Sequence, residues 1–276
     1  MLIIEILKAV IIGVVEGITE WLPISSTGHM ILIDEIIHID LSPSFREMFL
    51  VVIQLGAIIA VPILFWDKLN PFARNKNVTQ RRAVVNLWGK ALVGSAPAAV
   101  LGLALDELLD RYIYNYIVVA TALIVYGVIF IFVEKIRAKS KNTILSVDDL
   151  GYTDAIKIGL FQSLSLIPGT SRSGSTILGG MACGVSREAS AEFSFFMAIP
   201  IMLGASGLKV IKFLANGFVA SGEEIIILLV GIIVSFLVSL VVIRFLMEFV
   251  KQHDFRIFGY YRIVLGFAVL LYFMLV

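Results

Sequence analysis

The sequence predicts an all-α polytopic membrane protein: six transmembrane helices plus two re-entrant helical hairpins, arranged as an inverted repeat. Three observations predict it. Apolar residues fill 59% of the 276 positions and charged residues only 16%, where a soluble domain carries roughly a quarter charged; mean hydropathy is +0.97. The charges stand in short islands between long apolar runs, as they must if the runs face lipid. Two of the apolar regions, finally, are broken at their centres by proline, glycine and hydroxyl residues, and the two breaks read alike.

Taken in order, the apolar stretches 47–66, 86–105, 112–133, 190–209, 223–248 and 257–276 are each long enough to cross a bilayer as a helix. Residues 2–37 and 155–183 do not fit that template. Each is split into halves expected to run about 12–15 residues, too short for ~30 Å of hydrocarbon. Two short helices around a break read as a re-entrant hairpin, tolerated at membrane depth only where protein or water covers the irregular backbone. Residues 2–15 are apolar enough for a signal peptide. Glu5 and Lys8 interrupt them, however, no small-residue cleavage site follows, and Glu16 and Glu20 come next, so the segment is read as part of the mature fold.

The loops orient the bundle. The 67–90 loop carries Lys68, Arg74, Lys76, Arg81, Arg82 and Lys90, and 134–141 carries Lys135, Arg137, Lys139 and Lys141; Arg244, Lys251 and Arg256 flank the last turn. The positive-inside bias makes these three cytoplasmic. The acidic islands of Asp34, Glu35 and Asp40 and of Asp106, Glu107 and Asp110 then fall outside. Six crossings satisfy every assignment only if each hairpin enters and leaves on one side, with both chain ends extracytoplasmic. Trp66 and Trp88, beside the basic loop, suit the interfacial belt.

An internal repeat supports the map. Trp21-Leu-Pro-Ile-Ser-Ser-Thr-Gly28 matches Leu166-Ile-Pro-Gly-Thr-Ser-Arg-Ser-Gly174, with one extra residue in the second copy. Glu47-Met-Phe and Glu192-Phe-Ser keep the same register. Three crossings separate the copies, an odd number, so repeat 1 (about 1–135) and repeat 2 (about 150–276) are inverted within one membrane domain covering 1–276. Inverted repeats with broken helices put a site near the midplane, where the two breaks meet.

The first break gathers Glu16, Glu20, Ser25, Ser26, Thr27 and His29 within 14 residues. Glu16 and Glu20 are four apart and share a helix face; Pro23 ends that helix, and Ser25 or Ser26 caps the next. Buried carboxylates at membrane depth cost several kcal/mol, so function is the default reading. The second break, Pro168 to Thr176, offers helix-start amides among Gly169, Thr170, Ser171, Ser173 and Gly174, an anion site by geometry and dipole. Arg172 adds a fork that matches phosphate oxygens. No GxxxxGK[ST] loop is present.

Together these residues read as a phosphate trap beside an acid-rich hydrolytic site. Arg172 and the two helix N-termini are expected to neutralise diphosphate charge, with Thr170, Ser171, Ser173 and Gly174 binding phosphate. Ser26, with Thr27 as rival, attacks phosphorus, and His29 is the base. Glu16 and Glu20 either hold a hard divalent cation bridging the diphosphate or orient His29. Spacing alone does not choose between covalent catalysis and attack by metal-bound water.

In the motifs E-G-I-T-E-W-L-P-I-S-S-T-G-H at 16–29, V-V-I-Q-L-G-A at 51–57, P-G-T-S-R-S-G at 168–174 and E-F-S-F at 192–195, the chain resembles the undecaprenyl-diphosphatase family, also called bacitracin-resistance proteins. Length and hydropathy agree over essentially the whole chain, and only Trp21 departs, where phenylalanine is usual. The resemblance implies a bacterial inner-membrane enzyme that removes the terminal phosphate of undecaprenyl diphosphate, recycling the carrier for peptidoglycan synthesis. It further implies a site open to the outer face and stimulation by Mg²⁺ or Ca²⁺. Carried over by position, Glu16, Glu20, Ser26, His29 and Arg172 are the expected essential side chains. Thr27, Ser171 and Ser173 are helpers, and Gln54 is an accessory candidate.

The expected partners are a polyprenyl diphosphate and membrane lipids; a homodimer is left open. No basic face or aromatic-basic patch points to nucleic acid. The rival reading is a transporter or lipid flippase, which shares the inverted-repeat architecture. Cys183, the one cysteine, excludes an internal disulfide and a cysteine metal cluster. His38 and His253 are expected to be solvated, and Lys209, Lys212, Arg244 and Arg262 to be snorkelling or loop charges.

Overall fold

A computed structural model describes residues 2–113, 115–137 and 142–275, leaving aside the side chains of residues 106, 107, 110 and 111. The expected places of Asp106, Glu107, Asp110, Lys139 and Lys141 lie outside what is described. The described residues are helical throughout, apart from connecting turns and an isolated bridge between Ile144 and Val185.

Six helical segments are long and apolar enough to cross a membrane: Pro43–Leu64, Val78–Leu105, Tyr116–Arg137, Arg187–Ala215, Gly222–Gln252 and Arg256–Leu275. Each overlaps one of the six stretches read from the sequence. In full, the helices are α1 (Leu2–Thr19), α2 (Ser26–Ile37), α3 (Pro43–Val52), α4 (Gln54–Leu64), α5 (Trp66–Leu69), α6 (Val78–Tyr112), α7 (Tyr116–Arg137), α8 (Tyr152–Ser163), α9 (Arg172–Ala182), α10 (Arg187–Ala215), α11 (Gly222–Gln252) and α12 (Arg256–Leu275).

Two details differ from expectation. Helix α1 runs 18 residues rather than 12–15, and the Glu20 amide still donates to Glu16 O at 3.0 Å just beyond it. The helix gives out only at the approach to Pro23, which has no amide to continue the ladder. The first long span is also not one helix, since Ile53 separates α3 from α4. Nothing in the sequence around Ile53 marks that joint.

The broken regions appear as helix pairs, α1 with α2 and α8 with α9. Packing comes in matched pairs: α1 lies along α11 as α8 lies along α6, α4 meets α11 as α10 meets α6, and α2 meets α12 as α9 meets α7. Between apolar helices in lipid, close approach replaces the hydrophobic drive, and small residues make it possible. A Cβ on Gly159 of α8 would lie 2.0 Å from Gly94 O of α6, and one on Gly13 of α1 would lie 2.8 Å from Gly231 O of α11. A side chain at either place would push the helices apart.

At the base of α7, buried Glu134 accepts from Nε and Nη2 of Arg187, the closest at 2.6 Å, and from the Phe255 amide at 2.9 Å. One carboxylate thus ties the starts of α10 and α12 to the end of α7. Trp88 donates to Leu69 O at 2.9 Å, while Trp66 is exposed, as an interfacial residue would be.

Candidate catalytic site between the two helix breaks

The two breaks use one backbone device. Ser25 has φ 73° and caps α2 by accepting from the Gly28 amide at 3.3 Å; Ser171 has φ 73° and caps α9 by accepting from the Gly174 amide at 3.1 Å. A left-handed conformation is unusual for serine and costs on the order of 1–3 kcal/mol, a strain met mainly at functional positions. Of the two candidates for capping α2, the structure selects Ser25. That choice frees Ser26, the first residue of the helix, and Arg172 is the first residue of α9.

Ser26 and Arg172 both turn to Glu20. Glu20 Oε2 accepts from Ser26 Oγ at 3.0 Å, and Oε1 takes Arg172 at 2.7 Å. One carboxylate therefore joins the hydroxyl of the first break to the guanidinium of the second. The other arm of Arg172 donates to Ser194 O at 2.9 Å, and the guanidinium lies 5.6 Å from the Trp21 ring. Thr176 and Ser194 share a hydroxyl contact of 2.6 Å behind it. Arg172 Nε has no protein partner, so the fork is held in place with donor capacity left over.

The remaining site residues divide. Glu16 is buried one turn before Glu20, and its Oε1 has no partner. His29 lies on the same helix as Ser26 but is turned elsewhere: Nδ1 is 2.7 Å from Ser25 O and Nε2 is 2.7 Å from the Tyr261 hydroxyl. Ser173, fully buried, bonds Ser171 Oγ at 3.1 Å and Leu22 O at 3.3 Å, so it ties one break to the other. Thr170 bonds Leu164 O and Ile167 O within its own turn. The Gly174 amide is taken by the cap. Thr27 is half-buried at the start of α2. Among the described residues, no hydrogen bond joins Gln54, the first residue of α4, to this cluster.

Arg262 departs from its expected place. It is neither snorkelling nor in a loop: it is fully buried within α12 and donates to Pro23 O at 3.2 Å, Gly169 O at 2.8 Å and Thr170 O at 2.9 Å. Tyr126 and Phe130 cover its guanidinium at 5.4 and 5.9 Å. Three backbone carbonyls, one in the first break and two in the second, are thereby satisfied by a single side chain, which clasps the two breaks together. An arginine inside the 257–276 span is a costly charge at membrane depth, but nothing in the residues around it says which groups it meets. The partners of Ser194, Thr176 and Tyr261 escape sequence reasoning for the same reason, since a partner on a distant element leaves no mark on the residues around them.

The arrangement defines a class: a polytopic membrane protein in which a hydroxyl, two buried carboxylates and a partly buried guanidinium converge between two helix starts. Such a set suits attack on a phosphorus bearing a charged leaving group. By comparison with known proteins, the chain belongs to the bacitracin resistance protein BacA family, whose model matches residues 9–268. It is 55% identical over 273 residues to an undecaprenyl-diphosphatase of Acetivibrio thermocellus, covering 99% of both chains. It is 52% identical over 274 residues to that of Desulfitobacterium hafniense, covering 99% of this chain and 98% of the relative. It is 53% identical over 266 residues to that of Enterococcus faecalis, covering 96% of each.

Among the described residues no three His, Cys, Asp or Glu side chains gather at one point. Glu16 and Glu20 alone supply hard carboxylate oxygens here, one of them the unpartnered Glu16 Oε1. Two carboxylates would suit a hard divalent cation that takes its remaining ligands from outside the protein.

Proposed function

We propose that the chain is a membrane phosphatase that hydrolyses undecaprenyl diphosphate to undecaprenyl phosphate and inorganic phosphate, so recycling the lipid carrier of cell-wall synthesis. The family and its relatives support the reaction. The observation that carries the site is Glu20, which holds Ser26 and Arg172 on its two oxygens.

In this reading Arg172 exchanges Glu20 for the diphosphate, where its planar fork meets two oxygens at once. The starts of α2 and α9 add their dipoles. Released from Arg172, Glu20 is left as the base beside Ser26 and takes the hydroxyl proton as Oγ attacks the terminal phosphorus. The P–O bond to the bridging oxygen breaks, undecaprenyl phosphate leaves, and water then hydrolyses the phosphoseryl ester. Glu20, whose carboxylate is 3.0 Å from Ser26 Oγ, takes the place of His29 as the base for that hydroxyl; His29, held between Ser25 O and the Tyr261 hydroxyl, serves the second step as base for the water that attacks the phosphoseryl ester. Glu16 and Glu20 would hold the divalent cation, which supplies charge neutralisation to the diphosphate when bound.

The helix pairs α1–α2 and α8–α9 are read as re-entrant hairpins of an inverted repeat. The pairing of contacts between the halves and the common Ser25 and Ser171 cap geometry support this. The basic residues beside α5 and at the ends of α7 and α11 support cytoplasmic placement of those turns, with both termini and the site opening on the outer face. The test is phosphate release by purified protein in detergent from a short prenyl diphosphate. Ser26→Ala and Arg172→Ala should each abolish release. Full turnover by both variants would remove the site from this place.

A further inference from the structure

Tyr261 is in contact with His29, and the chemistry of that contact is constrained. A backbone carbonyl only accepts, so Ser25 O, 2.7 Å from His29 Nδ1, requires the proton on Nδ1. The lone pair of the neutral ring is then on Nε2, and Nε2 faces the Tyr261 hydroxyl at 2.7 Å. The two ring planes lie within 8° of each other. A hydroxyl donates to the Nε2 lone pair when the imidazole is neutral and accepts from the N–H when it is protonated. The ring can therefore gain or lose a proton without turning.

The hydroxyl comes from a rigid support. Tyr261 precedes Arg262, which is bonded to both breaks, and α12 packs along α7. We propose that Tyr261 is a positioning residue for His29: with the proton set on Nδ1 by Ser25 O, its hydroxyl holds the ring so that Nε2 is the nitrogen that gains and loses a proton in the reaction. This rests on His29 belonging to the catalytic site.

The variant is Tyr261→Phe, which removes only the hydroxyl from a side chain 46% exposed. His29→Gln serves as the control for the site itself. Two readouts are taken on purified protein in detergent. The first is phosphate release from a prenyl diphosphate; the second is the ¹⁵N spectrum of the imidazoles. The chain has three histidines, and His38→Gln and His253→Gln assign the other two.

The expected result is a kcat lowered by about tenfold, with KM changed by less than about twofold. The His29 Nε2 resonance should also move toward that of an unbonded imidazole nitrogen. A merely structural tyrosine would leave that resonance where it was. An unchanged Nε2 resonance, or a moved resonance with unchanged kcat, overturns the inference. Full turnover by His29→Gln would instead remove His29 from the reaction, a failure of the site reading. An inactive His29→Gln beside a fully active Tyr261→Phe is a failure of Tyr261 alone.

Discussion

The two helix breaks share a backbone and differ in chemistry. Each follows a helix that gives out near a proline, passes through a serine at φ 73°, and restarts with that serine capping the glycine three residues on. Each then presents its first helical residue to the same carboxylate. In the first break that residue is Ser26, a small hydroxyl suited to attack; in the second it is Arg172, a fixed cation suited to hold an anion. The acids Glu16 and Glu20 have no acidic counterparts in the second region, where Phe161, Gln162 and Ser165 occupy the corresponding stretch. A shared scaffold is thus divided in its labour, one break supplying nucleophile and base and the other charge. Neither break is complete alone.

Four measurements break or sharpen that comparison. The largest effect is expected from Ser26→Ala, with kcat lower by about 10³-fold or more, the scale of removing a nucleophile with its base still present; phosphate release measures it. Arg172→Lys keeps the charge and loses the fork, so kcat/KM should fall by roughly 10- to 100-fold, and full activity would show that charge alone suffices in the second break.

Arg262→Gln acts on both breaks together. It leaves carbonyls of Pro23, Gly169 and Thr170 short of donors, at about 1–3 kcal/mol for each one unsatisfied. Thermal unfolding in detergent should show a lower midpoint, and activity should fall with it. A midpoint equal to that of the parent would mean that the clasp is dispensable.

The smallest effect separates the caps from the chemistry. Ser25→Gly and Ser171→Gly lose a cap but relieve a positive φ, so each should change stability by less than about 0.5 kcal/mol. The corresponding alanine variants lose the cap and keep the strain, for about 1–2 kcal/mol. Equal responses in the two breaks would confirm a common device. A large loss of activity in only one glycine variant would show that its serine does more than cap.

Much of the fold and part of the site are legible in the residues themselves. Each of the six spans announces itself as a run of about twenty apolar residues, because the thickness of hydrocarbon fixes the length. The breaks announce themselves because proline, glycine and hydroxyls have no bland place at that depth. Glu16, Glu20, Ser26 and Arg172 stand out for the same reason, and Glu20, Ser26 and Arg172 do meet. What sequence does not carry is direction. Nearness along the chain makes His29 the expected base for Ser26, yet both its nitrogens are turned to Ser25 O and Tyr261. Ser173, expected as a phosphate ligand, bonds across to Leu22 O instead. Arg262, expected as a peripheral charge, is the clasp.

Composition and local pattern determine, by themselves, that this chain carries six membrane-length helices, that two further regions are broken, and which side chains at the breaks are too costly to be there without use. These follow from short-range rules: the solvation of charge, the length of a helix, the missing amide of proline. Only the tertiary structure decided which partner each polar group takes. In lipid a stranded carbonyl or a buried charge finds a complement only within the protein, and some of those complements come from α10 and α12, segments up to 239 residues away in the chain.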